Sequence, residues 1–165
     1  MADEIERKFL MATDKAKALL RKLEAAGIQP SRIEQGYLHA KVPVTRVRIV
    51  DAQYGYFTVK GPRQGLRVPE YEWPIPIQDA REMLDGLCSL KLEKLRYPYK
   101  LPACDHVVEV DVFQGGLSGL VLAEIEFKDE ASARAFKDLP DWLGQEVSNS
   151  PEYTNLRLAQ SLLRP

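Results

Sequence analysis

The sequence predicts a mainly β, α+β fold: a closed or nearly closed sheet covered on its outside by helices. Three observations carry that prediction. About eight segments alternate residue types with the period of two that belongs to strands, several of them separated by Gly or Pro turn signals. Four segments instead repeat apolar residues at helical spacing and carry helix stop or start residues. The length of 165 residues fits one domain, here 1–165, with no internal repeat, low-complexity run or linker to divide it.

The first strand is expected over 3–11. A helix follows with Thr13 as N-cap, carrying Ala16, Leu19, Leu20, Leu23 and Ala26 on one face and stopping at Gly27. Strands are expected at 32–42, 43–50, 54–60 and 67–75. The second helix runs from Pro76 to Asp85, with Ile77, Ala80, Met83, Leu84 and Leu87 apolar and Gly86 as its stop. Strands at 90–99, 105–113 and 119–127 come next, then a short helix from Asp129 to Asp138 ending before Pro140. The last helix spans Pro151 to Leu163, with Pro151 in its first turn and Leu156, Ala159, Leu162 and Leu163 packed inward.

Composition excludes several classes. Lys and Arg number 23 against 24 Asp and Glu, a formal net charge of -1, which is not the basic excess of a protein that binds nucleic acid or membranes through bulk charge. No apolar stretch approaches the ~20 residues of a membrane span. The start MADEIERKFL is acidic where a signal peptide is basic and then apolar, so a cytoplasmic protein is expected. Cys88 and Cys104 lack metal or redox spacing and read as partly buried small hydrophobes; His39 and His106 stand far apart.

The polar half of each strand alternation is charged. Glu4, Glu6 and Lys8 share one face of the first strand while Ile5, Arg7 and Phe9 take the other. Arg46 and Arg48, Lys60, Glu70 and Glu72, Lys94 and Arg96, Glu109 and Asp111, and Glu124 and Glu126 repeat the scheme. A solvated outer face normally mixes Ser, Thr, Gln and Asn with its charges, whereas these positions come as same-sign pairs ~7 Å apart along a strand. If the first and last strands meet, as barrel closure requires, Glu4, Glu6, Glu124 and Glu126 come together. At ~5 Å and an effective dielectric near 20, each ionised pair costs about 3 kcal/mol, so the group must be protonated, paired with bases or metal-bound. Oxygen donors alone favour a hard cation, Mg²⁺ or Mn²⁺. Lys8, Arg46, Arg48, Lys60, Lys94 and Arg96 are then free to contact an anion, and a metal with many bases points to a polyphosphate.

These residues resemble the CYTH superfamily, the triphosphate tunnel metalloenzymes, and in particular its short bacterial inorganic triphosphatases. The likeness rests on ExExK at Glu4–Lys8, TRVRI around Arg46 and Arg48, TVKG ending at Gly61, EYE at Glu70–Glu72, LRY after Lys94, and EVDVFQGGLSGLVLAEIEF at 109–127. The tail WLGQEV with Pro151, Tyr153 and Asn155 extends it over nearly the whole chain. The resemblance implies an α+β, mainly β fold: a closed eight-stranded antiparallel β-barrel forming a tunnel, with helices on its outside. It also implies metal-dependent hydrolysis of a triphosphate, with Glu4, Glu6, Glu124 and Glu126 as metal ligands and Lys8, Arg46, Arg48, Lys60, Lys94 and Arg96 on the phosphates. No Ser, Cys or His is placed as nucleophile, so direct attack by water is the simplest mechanism. Glu70, Glu72, Glu109 and Asp111 are left between a second metal and pairing with the bases.

One motif departs from the family. RxExE is usual on the fifth strand, but Arg67 stands three residues before Glu70, an offset that turns it outward unless a bulge at Pro69 restores it. Arg67 is kept as a substrate-binding candidate on that condition, while Arg63 in the GPRQG loop reads as a solvated charge. Tyr37, Tyr54, Tyr56 and Trp73 read as packing residues. Thiamine or nucleoside triphosphatases, an adenylate cyclase and a non-catalytic polyphosphate-binding module are the alternatives. The apolar outer face of the sheet is compatible with a homodimer.

Overall fold

In the computed structural model, which describes residues 2–102 and 104–163, the chain forms one antiparallel sheet. Its strands are β1 (Ala2–Leu10), β2 (Ser31–His39), β3 (Val44–Val50), β4 (Tyr54–Lys60), β5 (Arg67–Ile75), β6 (Leu90–Lys100), β7 (Val107–Phe113), β8 (Val121–Glu126) and β9 (Gln145–Glu146). The order β5-β4-β3-β2-β6-β7-β8-β1 closes through pairing of β1 with β5, giving the eight-stranded barrel. Both neighbours hold β1: Glu4 lies opposite Val68 on β5, and Glu6 and Lys8 lie opposite Glu126 and Glu124 on β8. The ninth strand pairs with Phe9 and Leu10 beside the stretch of β1 that β5 leaves free. At two residues it is too short to show a period, which is why the sequence does not announce it.

Apolar residues on the outer faces seat the helices. Ile5, Phe9, Val108, Val110, Ala123 and Ile125 are buried with Ala16, Leu19 and Leu23 of α1 (Thr13–Ala25) and Ala133 of α3 (Glu130–Ala135). Val47 and Ile49 are buried against Ala80 and Leu84 of α2 (Ile77–Gly86) and against Cys88. A third cluster lies on the inner face: Tyr37, Leu92, Phe113 and Leu122 extend the faces of β2, β6, β7 and β8 and meet Leu158 and Ala159 of α4 (Asn155–Ser161). The lumen is therefore charged along one part of its length and apolar toward α4.

Several helix expectations need correction. Thr13 is already helical and Ala12 takes the cap position without a side-chain bond. The third helix ends at Ala135, where Phe136 turns extended and its ring packs 5.6 Å from that of Phe127. The single helix expected from Pro151 breaks after one 3-10 turn, Pro151–Tyr153, because Thr154 turns extended and caps α4 through the Arg157 amide. Leu87 and Leu163 are 65% and 63% exposed and do not pack as expected, while Leu162 is partly exposed but lies against Gly116. No helix among the described residues is long and apolar enough to cross a membrane.

Candidate active site

A cavity of about 770 Å³ occupies the charged part of the lumen. Strand alternation delivers its walls: Glu4, Glu6 and Lys8 from β1, Arg46 and Arg48 from β3, Lys60 from β4, Glu70 and Glu72 from β5, Arg96 from β6, Glu109 from β7, and Glu124 and Glu126 from β8. The chain thus gathers on one surface twelve of the fifteen charged positions expected there.

The other three are placed differently. Arg67 is opposite Ile5 with no register shift in either pairing of β5, so the bulge on which it depended is absent. Its side chain is exposed on the outside and bridges to Asp3 at 2.6 Å. Lys94 and Asp111 face inward but are wholly buried beneath the cavity wall, ion-paired to each other, with Lys94 5.6 Å from the Phe113 ring. Asp111 also accepts two bonds from Arg96, at 2.7 Å each, which fix that guanidinium from below. The geometry makes Lys94 and Asp111 supports of Arg96, not cavity-wall residues.

Two residues are brought in that the sequence reading set aside. Arg63 leaves the β4–β5 loop to line the cavity, with Nη2 3.9 Å from Glu6 Oε1. Tyr37 is buried against the cavity rather than merely packed, its hydroxyl accepting from Gln35 Nε2 at 3.1 Å. A loop charge has no periodicity to betray its direction. Tyr37, by contrast, shares the inner face of β2 with Gln35, and that parity is readable once the face is known.

Charge is unevenly balanced across the cavity. Lys8 bridges Glu124 at 2.9 Å and Glu6 at 3.3 Å; burial opposes its charge, but those carboxylates hold its pKa above the usual lysine value. Glu124 is buried as well, yet Lys8, Lys94 and Arg96 hold it well below the usual carboxylate range. Lys60 pairs with Glu4 and with Glu70 at 2.6 Å. Arg46 reaches Glu72 at 3.2 Å and Glu70 at 3.5 Å. Among the described residues Arg48 has only Glu72, at 4.0 Å, and burial, with Arg46 and Arg96 nearby, pushes it down to about 10. Across the lumen, burial and neighbouring carboxylates push Glu6 and Glu126 up. Arg48 on one wall is short of counter-anion, while Glu6 and Glu126 on the facing wall are short of counter-cation.

That donor set fits a hard divalent cation. Glu4, Glu6, Glu124 and Glu126 offer oxygen alone, Glu6 and Glu126 are direct cross-strand partners, and their raised pKa values report negative charge that a cation would neutralise. As the side chains stand, no three acidic or imidazole groups among the described residues form a metal nest. Glu4 is turned to Lys60 and Glu6 to Lys8, so a cation would take these carboxylates over from the lysines.

Comparison with known proteins follows the same lines. A family model for the CYTH domain matches residues 2–156. The inorganic triphosphatase of Acetivibrio thermocellus is 40% identical over 163 residues, covering 98% of this chain and 96% of that one. The inorganic triphosphatase of Nitrosomonas europaea is 35% identical over 159 residues, 96% of this chain and 98% of that one. A solved inorganic triphosphatase structure superimposes with a TM-score of 0.65 at 34% identity, covering 96% of this chain and 95% of the other.

Proposed function

The chain belongs to the CYTH domain family, and from that premise we propose that it hydrolyses inorganic triphosphate to diphosphate and orthophosphate with Mg²⁺ or Mn²⁺. The observation that carries this reading is the opposition within one cavity of an under-neutralised guanidinium, Arg48 beside Arg46, and under-neutralised carboxylates, Glu6 and Glu126. A linear polyanion satisfies the first and a divalent cation the second.

In this reading Arg46, Arg48, Lys60 and Arg96 hold the phosphate chain and offset the charge that spreads over the transferring group. Arg96 is positioned by Asp111 and Glu124, which limits how far it must reorganise. Glu4, Glu6 and Glu126, helped by Glu124, would hold the metal ion, which when bound would supply charge neutralisation and lower the pKa of water. Lys8, held between Glu124 and Glu6, lines the same cavity and adds its charge to the set that would face the phosphates. Water attacks the terminal phosphorus, the bridging P–O bond breaks, diphosphate leaves with the electron pair of that bond, and the two protons of the water end on orthophosphate and diphosphate or in solvent. Membership in the CYTH family and likeness to two inorganic triphosphatases support the hydrolysis as a whole, and the residue roles rest on the cavity geometry.

The test is phosphate release from tripolyphosphate, ATP and thiamine triphosphate side by side, with Mg²⁺, Mn²⁺ or EDTA, for wild type and Glu6→Ala. Turnover is expected to require metal, to favour tripolyphosphate and to be lost in the variant. Turnover indifferent to EDTA or to the substitution removes the metal assignment, and preference for a nucleotide moves the substrate.

A further inference from the structure

Three strands place Arg46, Thr58 and Glu72 in one row across the sheet: Arg46 of β3 lies opposite Thr58 of β4, and Thr58 opposite Glu72 of β5. Arg48 stands in the next inward-facing row, opposite Tyr56, which in turn lies opposite Pro74. That row contains no carboxylate. The one carboxylate that comes within 4.0 Å of Arg48 among the described residues is therefore Glu72, on the diagonal. Both arginines draw on the same anion.

Thr58 decides between them. It is completely buried, and its hydroxyl has a single proton to give and lone pairs that accept. The proton goes to Glu72 Oε2 at 2.7 Å, and the oxygen accepts from Arg46 Nη2 at 3.2 Å. Arg46 Nη2 also donates to the same Glu72 oxygen, at 3.2 Å. The three groups close a triangle that holds Oε2 toward Arg46 and leaves it 4.0 Å from Arg48 Nη1, beyond hydrogen-bond length. Burial works to raise Glu72, yet the Thr58 hydroxyl and the two arginines hold it below the usual carboxylate value. It is thus an ionised group that, once released, could serve Arg48 as counter-ion. As the side chains stand, Arg48 also keeps a buried Nε without a partner.

We propose that Thr58 is a positioning residue of the substrate site: by pinning Glu72 to Arg46 it leaves Arg48 open, so that an incoming phosphate meets this guanidinium without an ion pair to break. The inference rests on the triphosphate reading and deepens it, because it divides the work between the two arginines of β3. Arg46 is the braced cation and Arg48 the free one. Holding a receptor group ready in this way removes a cost that binding would otherwise carry.

Thr58→Val keeps the shape of the side chain and removes the hydroxyl, while Thr58→Ser keeps the hydroxyl. Thr58→Val is also made in a Glu72→Gln background, where the neutral amide is no counter-ion for Arg48. Tripolyphosphate affinity is measured by calorimetry in EDTA, where a metal-dependent enzyme does not turn over, and KM is measured with metal. The ligand-free Tm controls for folding; where Thr58→Val is unfolded at the assay temperature, Thr58→Ala replaces it with the same expectations. Thr58→Val is expected to weaken affinity and raise KM about tenfold, the low end for a hydrogen bond to a charged group, because Glu72 turns to Arg48. Thr58→Ser should bind like wild type, and in the Glu72→Gln background Thr58→Val should change neither value further. Wild-type affinity and KM in Thr58→Val, failure of Thr58→Ser to restore them, or an equal loss in the Glu72→Gln background overturns the role of Thr58 and leaves the triphosphate reading intact. A wild type that neither binds nor hydrolyses tripolyphosphate overturns that reading and this inference with it.

Discussion

Arg63 Nη2 lies 3.9 Å from Glu6 Oε1, joining the β4–β5 loop to the first strand across the cavity. Lys8, between two carboxylates, and Arg96, among three, are more firmly held. Arg63 is over a third exposed, and its remaining bond is a long one, 3.4 Å to the carbonyl of Gly65 in its own loop. Its present pair therefore adds little stability. Arg63→Ala is expected to leave the ligand-free Tm within a degree or so. It should raise KM for tripolyphosphate about tenfold, the loss of ~1.4 kcal/mol of binding. An unchanged KM would return Arg63 to the solvated role its sequence suggested.

Lys94 and Asp111 have no exposed atoms, and among the described residues Lys94 has Asp111 as its one ion-pair partner, whereas Asp111 is also bonded by Arg96. Asp111→Leu leaves an uncompensated ammonium and is expected to cost about 3–5 kcal/mol in urea unfolding. The double variant Lys94→Met, Asp111→Leu removes both charges into a wall already flanked by Phe113 and should recover most of that loss. A double variant no more stable than the single one would mean that the bonds from Asp111 to Arg96 dominate instead.

Much of the site was legible because a strand has a parity. Once Glu4, Glu6 and Lys8 are assigned to one face, the pairing of β1 with β8 carries Glu124 and Glu126 to the same place, and every remaining ladder repeats the inference. What parity does not encode is depth. Lys94 and Arg96 have the same phase on β6, yet Lys94 sits one step nearer the apolar end and is sealed while Arg96 reaches the cavity. Parity did expose Arg67, whose odd offset sends it outside to Asp3. Loops carry no parity, which is why Arg63 was read as solvated. The helices failed at their ends for a similar reason: Thr154 as a cap divides a segment whose apolar spacing runs straight through it.

The carboxylates titrate in opposing directions, which fixes how stability depends on pH. Burial and neighbouring carboxylates raise Glu6, Glu109 and Glu126 above 4.5. Their protonated forms favour the fold, so that contribution is complete below 4.5 and is lost as pH rises through the raised values. Glu70, Glu72 and Glu124 are held below 4.5 by bases and hydrogen bonds that outweigh burial. Their contribution is present above 4.5 and is lost as pH falls through the depressed values. Metal-free protein in EDTA should therefore lose Tm both as pH rises from 4.5 through the raised values and as pH falls from 4.5 through the depressed ones. A Tm that rises steadily from pH 5 to 7.5 contradicts the excess of carboxylate charge on which the metal assignment depends.

Helix α2 tests whether the outer shell can be disturbed without touching the cavity. At Gly55 on β4 a Cβ would lie 2.7 Å from Cβ of Ala80 and 3.0 Å from the carbonyl oxygen of Ile75, so the helix rests on bare backbone there. Ala80 is fully buried and can move only with its helix. Gly55→Val is expected to lift α2 and to cost about 1–3 kcal/mol through overpacking. Gly55 faces away from the lumen, opposite Ile49 on β3 and Ile75 on β5, so KM for tripolyphosphate at a temperature where the variant is folded should stay within twofold of wild type. A large KM change at unaltered stability would instead mean that the strands carry displacements of α2 through to Arg46 and Arg48, and that the two faces of the barrel are not mechanically separate.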